Sequence, residues 1–370
     1  MLRRLLLVLV ASGALMLSLG IGFLAADWPF LHRIWQLESD GTAGRVLAEL
    51  PVATIAGATS GAFFPLAGPG ERTLDDETLA QAAAWAEANG SAALLVLHRG
   101  RLQFERYWHG LARESPYPAL GLSRSLLAIA YGRALLEGRI SSLDASIDQW
   151  IGEWRGEPRG AITLRQLLWN VSGLEQPAPD NWRARLGKSG RLRYGTETVR
   201  AALSFGLAHE PGTHFALSRV DAQLLGIVLE RASGARYAQV IEHSFWDAIG
   251  AGAAQIRVDR PGGMAAVFDG VRAAPGDLLR LGALLAGDDG AGGGALLPKD
   301  WTREMAQGSV PNPRHGLEAW GLGDGGLLMA ADGRALWVWP GEQLVVLRLG
   351  PAAPGWDPAA LPRILRRGLP

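Results

Sequence analysis

The distribution of strand-like segments is the sequence feature that most restricts the fold of this 370-residue chain. Two such segments, Ala92–His98 and Arg101–Trp108, flank Arg99-Gly100, a pair that predicts a tight hairpin turn. Three more lie near the C-terminus, separated by the turns Asp332-Gly333 and Pro340-Gly341: Gly326–Ala331, Arg334–Trp339 and Leu344–Leu349. The region between these two groups of strands has a mostly helical pattern.

This arrangement predicts an α/β chain of the α+β type, with one antiparallel sheet built from both ends of the body. Helices flank the sheet, and a mostly helical lobe is inserted between the two groups of strands. Apolar spacing and end signals predict a helix from Asp75-Asp76 to Asn89-Gly90, and then Leu126–Leu136, Gln223–Ala232 and Asp277–Leu285. We place the sheet lobe at residues 73–110 and 320–370 and the helical lobe at about 111–319.

Charge and cysteine content exclude several classes of function. The chain has 36 basic and 36 acidic residues, so it lacks the basic excess of a nucleic-acid-binding protein. It has no cysteine, which excludes disulfides, thiolate metal sites and cysteine nucleophiles. No two histidines have the spacing of a zinc-binding helix. We therefore predict no metal site and no cofactor.

An uncharged run from Leu5 to Ala26 follows Arg3 and Arg4 at the N-terminus. As a helix its 22 residues would extend about 33 Å, which is close to the thickness of the hydrocarbon core of a bilayer. The run predicts an uncleaved transmembrane anchor at residues 1–26, with the two arginines cytoplasmic and the body in the periplasm. A cleaved signal peptide, and hence a secreted body, is the alternative. Residues 27–72 are rich in Gly, Ala and Pro and are predicted to form an extended connector.

Several segments of the body, in order and at compatible spacing, resemble the serine β-lactamase and penicillin-binding protein superfamily. The resemblance is nearest to the branch of class C β-lactamases, β-lactamase-like esterases and aminohexanoate-oligomer hydrolases. The segments are LQFERYWHG, LSRSLLAIAYGRALLEGRISSLDASIDQWI, ITLRQLLWNVSGL, PGTHFALSRVDAQLLGIVLERASG, LLPKDW and LWVWPGEQLVVLRLG. The resemblance implies the fold predicted above and a substrate class of amides or esters.

The resemblance also implies a serine nucleophile and a lysine base three residues apart on one helix. The family's glycine spacing, applied to Gly132, puts the lysine position at Arg124 and the nucleophile position at Gly121. Glycine has no nucleophile, and an arginine stays protonated and cannot act as a base. The same reasoning places the family's tyrosine at Leu217, followed two residues later by Arg219. Of the family's third motif only Gly333 is kept.

These departures predict a catalytically inactive member with a binding or scaffolding role in the cell envelope, anchored to the membrane through its N-terminal helix. An active serine hydrolase that uses a displaced serine is the alternative, and Ser123 is the candidate nucleophile. A structural partner of other envelope proteins is a third hypothesis.

Five residues on or beside the motif positions are predicted to line the cleft: Arg124, Ser218, Arg219, Asp332 and Arg334. Three guanidinium groups close together require anions, and arginine binds carboxylates through two hydrogen bonds. One hypothesis is therefore an anionic small molecule or cell-envelope ligand. The other is an internal network of salt bridges with Asp332 and neighbouring acids.

Overall fold

The computed structural model describes residues 27–39, 43–58, 63–68, 70–287 and 294–369. The predicted membrane anchor at residues 1–26 lies outside these described residues. Within them, no helix is both long enough and apolar enough to cross a membrane.

The described residues form thirteen helices and ten short strands, with seven consecutive helices, α4 to α10, in the middle of the chain. The helices are α1 (residues 27–39), α2 (Ala43–Ala48), α3 (Asp76–Ala88), α4 (Ser123–Leu136), α5 (Leu164–Leu168), α6 (Trp182–Leu186), α7 (Lys188–Tyr194), α8 (Thr198–Leu203), α9 (Arg219–Ser233), α10 (Tyr237–Ile241), α11 (Pro275–Leu285), α12 (Trp301–Ala306) and α13 (Ala360–Arg367). The strands are β1 (Val52–Ile55), β2 (Ala93–His98), β3 (Arg101–Tyr107), β4 (Tyr117–Pro118), β5 (Ala254–Arg257), β6 (Val271–Ala273), β7 (Trp320–Gly321), β8 (Leu327–Ala331), β9 (Arg334–Trp339) and β10 (Leu344–Leu349).

The main sheet is antiparallel and joins the two ends of the body, as predicted. Its strand order is β3-β2-β10-β9-β8-β7, so that β10 lies beside β2 with Leu344 opposite His98. Two of the three predicted turns have positive φ at each position, with values of 50° and 72° at Arg99-Gly100 and 51° and 82° at Asp332-Gly333. The third, Pro340-Gly341, is instead the first half of a longer connection that makes a 3₁₀ turn over Pro340–Glu342 and ends at Gln343. Such turns match the twist of the strands they connect, and they fix the register of both hairpins.

The two faces of the main sheet bury alternate residues of each strand under different helices. On one face, Leu344 and Val346 of β10 belong to a core that also contains buried residues of α3 and α13. On the other face, Val345 and Leu347 belong to the large core shared with α4, α9 and α11. The prediction of an antiparallel sheet flanked by helices is therefore confirmed.

The segment predicted to be an extended connector is folded instead. Helix α1 buries Phe30, Ile34 and Leu37, which lie on one helical face and pack in a small core with Tyr194. The guanidinium of Arg33 donates to the backbone oxygens of Tyr194 and Gly195, each at 2.9 Å, and of Asp259 at 3.0 Å. The spacing of these three apolar residues indicates a helix, but the Gly- and Ala-rich composition of the neighbouring segment obscured this pattern.

A second, smaller sheet was not predicted. It has four strands in the order β1-β5-β6-β4 and is antiparallel. Strand β1 comes from the predicted connector, and the other three belong to the lobe predicted as mostly helical. These strands have two to four residues each, which is too short to show a reliable alternation of apolar residues.

Candidate active-site cleft

The predicted nucleophile position lies in a tight turn directly before α4. Gly121 is the middle residue of the 3₁₀ turn Leu120–Leu122, and Leu120 has a φ of 46°, which is unusual for a non-glycine residue. A Cβ atom added at Gly121 would lie 2.1 Å from the Cβ of Ala331 at the end of β8. The methyl group of Ala331 therefore fills the space that a serine side chain would need.

The predicted lysine position, Arg124, is held in a buried ion pair. Its Nε and Nη2 atoms donate to the two carboxylate oxygens of Glu318 at 2.7 and 2.9 Å, and Nη2 also donates to Asn170 Oδ1 at 2.6 Å. Burial raises the pKa of the Glu318 carboxyl, and the charge of Arg124 offsets part of that rise. We call Arg124, Asn170 and Glu318 the cleft floor. Its charge is balanced within the protein.

The hydrogen bonds of the floor continue into a second buried carboxyl group. Asn170 Oδ1 also accepts from the backbone N–H of Ser218, whose Oγ accepts from the N–H of Asp221 at the start of α9. Ser172 Oγ donates to Asp221 Oδ1 at 2.7 Å. Burial raises the pKa of Asp221 to about 7, although the two serine hydroxyls oppose the shift.

Three further residues surround the opening of the cleft: Leu217, Arg219 and Asp332. All three are exposed, and in the described part of the chain neither charged group has an ion-pair partner within 4 Å. Partial burial lowers the pKa of the Arg219 guanidinium, and the nearby charges of Asp269 and Asp332 oppose that shift. We call them the cleft rim. With Arg124 and Glu318 they line a cleft of about 380 Å³ between the end of β8, α4 and the start of α9.

The structure contradicts the predicted roles of three residues. Ser218 is fully buried as the N-cap of α9, so it is not accessible to a ligand. Ser123 is also fully buried, and its Oγ accepts a hydrogen bond from the N–H of Val271, which leaves no path to the cleft as a displaced nucleophile. Arg334 points away from the cleft, because its Nε donates to Pro118 O at 3.1 Å and its guanidinium lies over the ring of Tyr117.

The glycine kept from the third motif has a structural role in the β8–β9 turn. Gly333 has a φ of 82°, and a Cβ atom there would lie 2.2 Å from the backbone nitrogen of Ala352. Its carbonyl oxygen accepts from Nη1 of the buried Arg348 at 2.5 Å. Only glycine fits this position, so its presence says nothing about catalysis.

Sequence reasoning missed two buried residues of the site, Glu318 and His315. Burial lowers the pKa of His315 to about 3, so the ring is neutral. The centroid of this ring lies 4.9 Å from that of the Trp320 ring. Both residues lie in a loop before β7 that carries no recognisable motif. The only available signal was indirect: an arginine at the start of a largely buried helix requires an acidic partner.

The described lining of the cleft differs from the serine, lysine and tyrosine set that the family resemblance implies. Among its lining residues within the described ranges there is no serine, threonine, tyrosine, lysine or cysteine. Those ranges also contain no group of three potential metal ligands. A larger cavity of about 870 Å³ lies on the face of the main sheet covered by α13, and it contains none of the motif positions.

The fold and the position of the cleft allow comparison with known proteins. A family model described as Beta-lactamase matches residues 66–354, which is well over half of the chain. The chain belongs to the beta-lactamase family. The resemblance predicted from the sequence segments is therefore confirmed.

Several solved structures share the fold at low sequence identity. A Bacillus anthracis protein assigned as a 6-aminohexanoate-dimer hydrolase has 18% identity and a TM-score of 0.70, over 92% of this chain and 93% of that one. A class C beta-lactamase from Rhodobacter sphaeroides has 18% identity and a TM-score of 0.56, over 79% and 97%. A penicillin-binding protein from Bacillus halodurans has 15% identity and a TM-score of 0.54, over 74% of this chain and 95% of that one. These likenesses establish the serine-hydrolase-like fold of this beta-lactamase family member.

Proposed function

We propose that this beta-lactamase family member is catalytically inactive and that its cleft binds an anionic ligand. The composition of the cleft supports the loss of catalysis most directly, because its described lining offers neither a nucleophile nor a lysine or tyrosine base. Two further features point the same way. Ala331 fills the space beside Gly121, and the buried ion pair with Glu318 occupies the guanidinium of Arg124.

Arg219 is the residue that supports anion binding. It lies on the cleft rim with no ion-pair partner in the described residues, whereas Arg193 beside it faces Asp269 at 3.8 Å. A carboxylate placed against Arg219 could accept two parallel hydrogen bonds from its guanidinium group. Because Arg124 is already neutralised by Glu318, Arg219 is the cation that we expect to set the affinity.

We further propose that the protein is anchored in the membrane by residues 1–26 and that its body lies in the periplasm. The uncharged run Leu5–Ala26, preceded by two arginines, supports this placement. A ligand-binding or scaffolding role in the cell envelope follows, with anionic peptidoglycan fragments or acidic peptides as the ligand class.

A fluorophosphonate probe and a penicillin probe test the loss of catalysis. Both label an activated serine covalently, and we expect neither to label this protein under conditions in which a class C beta-lactamase is labelled completely. Labelling that disappears in Ser123→Ala would show instead that the displaced serine is active. Labelling that persists in that variant would also contradict the proposal.

Calorimetry with acidic peptides and anionic muropeptides tests the ligand class. Hydrogen bonds to charged groups contribute about 1.5–3 kcal/mol, so Arg219→Ala should weaken binding about tenfold or more. Arg367→Ala is the matched control, because Arg367 is exposed on α13 and does not line the cleft. Absence of binding to the unmodified protein, or equal binding by both variants, would contradict the proposal.

A further inference from the structure

Helix α1 has two apolar faces, and only one of them is covered. Phe30, Ile34 and Leu37 form the buried face. The residues offset from them by about half a turn of the helix are Trp28, His32 and Trp35, whose rings follow one another at about 6 Å. Trp28 is 62% exposed and Trp35 is 65% exposed. Charged or polar residues are expected on the outer face of a surface helix, so these tryptophans require an explanation.

Exposed tryptophans occur in only one part of the molecule. All 14 tryptophans lie in the described residues, and eleven of them are buried or half-buried. The third exposed one is Trp182, on α6, where Leu186 is 45% exposed one turn later. Helix α6 contacts the end of α1, because Arg185 forms a 2.8 Å ion pair with Glu38. We call Trp28, His32, Trp35, Trp182 and Leu186 the aromatic surface.

The aromatic surface is held firmly on the body. Arg33 fixes the middle of α1 through three backbone oxygens, as described above. At the start of α1, the two Nη atoms of Arg191 donate to the two carboxylate oxygens of Asp27 at 2.9 and 2.7 Å. With both ends of the helix and its middle attached to the body, the exposed rings cannot turn inward without breaking these contacts.

We propose that the aromatic surface docks onto the lipid bilayer and sets the orientation of the body at the membrane. This inference rests on the proposed anchor. The uncharged run ends at Ala26, one residue before α1, so the surface begins where an anchor would leave the hydrocarbon core. Tryptophan is enriched at that level of a membrane, because its ring is apolar and its N–H group remains hydrated.

Attraction to anionic lipid contributes little to this docking. Two of the three arginines beside the surface already have acidic partners, since Arg185 pairs with Glu38 and Asp180, and Arg191 pairs with Asp27. Arg183 lies over the ring of Trp182. Docking therefore depends on burial of the tryptophan rings, and it occurs on zwitterionic phosphatidylcholine.

The natural absence of cysteine permits a direct test with the full chain. Single cysteines replace Leu186 on α6, His32 on α1 and, as a control, Val310, which is 96% exposed in the loop before β7. Each carries an environment-sensitive fluorophore in phosphatidylcholine vesicles that contain a lipid-borne quencher. We expect quenching and a blue shift at positions 186 and 32 and neither at 310. Position 186 is decisive, because it is 160 residues from the anchor in sequence.

The outcomes separate the docking surface from the anchor. If the protein floats with the vesicles but the label at 186, like that at 310, shows no quenching and no blue shift, the anchor is supported and the proposed docking surface is contradicted. If the protein does not float, both are overturned. If the label at 186 shows a blue shift in detergent, and this shift increases with protein concentration, the aromatic surface binds a second copy of the chain instead of the bilayer. In a Trp28→Ser, Trp35→Ser and Trp182→Ser variant with unchanged circular dichroism, the label at 186 should become exposed while flotation persists.

Discussion

The floor and the rim of the cleft lie close together in space but differ in burial and in the pairing of their charges. On the floor, the largely buried Arg124 and the fully buried Glu318 are joined by two hydrogen bonds, and each charge has a partner inside the protein. On the rim, Arg219 and Asp332 are exposed and have no ion-pair partner in the described residues. The floor is suited to hold the structure together, and the rim is suited to contact something outside it.

This contrast bears on the proposed loss of catalysis. In an active site, a buried charge is kept because the reaction uses it, although it reduces stability. Here the buried cation at position 124 is neutralised by Glu318, and Ala331 packs where a nucleophile would stand. If the floor is structural, its variants should change stability strongly. If the rim is a binding surface, its variants should leave stability almost unchanged.

Removal of the floor's carboxylate should have the largest effect. Glu318→Ala leaves the guanidinium of Arg124 buried without its partner, which should lower the free energy of unfolding by about 3–5 kcal/mol. Urea denaturation measures this change. The exposed pair of Arg106 and Glu87 is the control, since Glu87→Ala should cost less than about 1 kcal/mol. If Glu318→Ala and Glu87→Ala lower the free energy of unfolding equally, the ion pair of the floor is no more important for stability than an exposed pair.

The buried carboxyl of Asp221 should make stability depend on pH. Its pKa is raised from 3.8 to about 7 by burial, so between these pH values the folded state holds a proton that the unfolded state has released. The stability that this group contributes is complete below about pH 4 and is lost as the pH rises through 7. Relative to Asp221→Asn, the unmodified protein should lose up to about 4 kcal/mol between pH 4 and pH 8. If the free energy of unfolding changes with pH in the same way in both proteins, the raised pKa of Asp221 is contradicted.

Restoring a serine at the nucleophile position should lower stability and should not create an enzyme. In Gly121→Ser the new Cβ atom overlaps the methyl group of Ala331, and such overpacking costs about 1–3 kcal/mol. Adding Ala331→Gly should relieve the overlap and recover part of that loss. Thermal unfolding measures both effects. Labelling of either variant by a fluorophosphonate probe would show that the floor still supports catalysis.

Sequence patterns predicted five of the six strands of the main sheet because their signals are local, and they missed only the two-residue edge strand β7. Each hairpin has its own turn residues, and the boundaries predicted for β9 and β10 agree with the structure at both ends. The floor could be predicted only in part. The position of Arg124 follows from the spacing to Gly132, but its partner Glu318 is 194 residues away in a loop of no distinctive pattern.

The rim was harder to predict because exposure depends on neighbours that are distant in sequence. Arg219 and Arg334 both lie near motif positions and have the same side chain. Arg334 is nevertheless held by the backbone of β4, a two-residue strand that local pattern could not identify. The second sheet thus decides which arginine remains available to a ligand.

Replacement of the rim leucine should have the smallest effect on stability. Leu217 is 51% exposed and occupies the position where the family has its tyrosine. Leu217→Tyr keeps an apolar body at the surface and adds a hydroxyl that water can solvate, so the free energy of unfolding should change by less than about 0.5 kcal/mol. Activity should not appear, because a tyrosine without a serine nucleophile has no proton to transfer. Urea denaturation and probe labelling measure the two quantities on the same preparation. A loss comparable to that of Gly121→Ser would mean that the rim is packed as tightly as the floor.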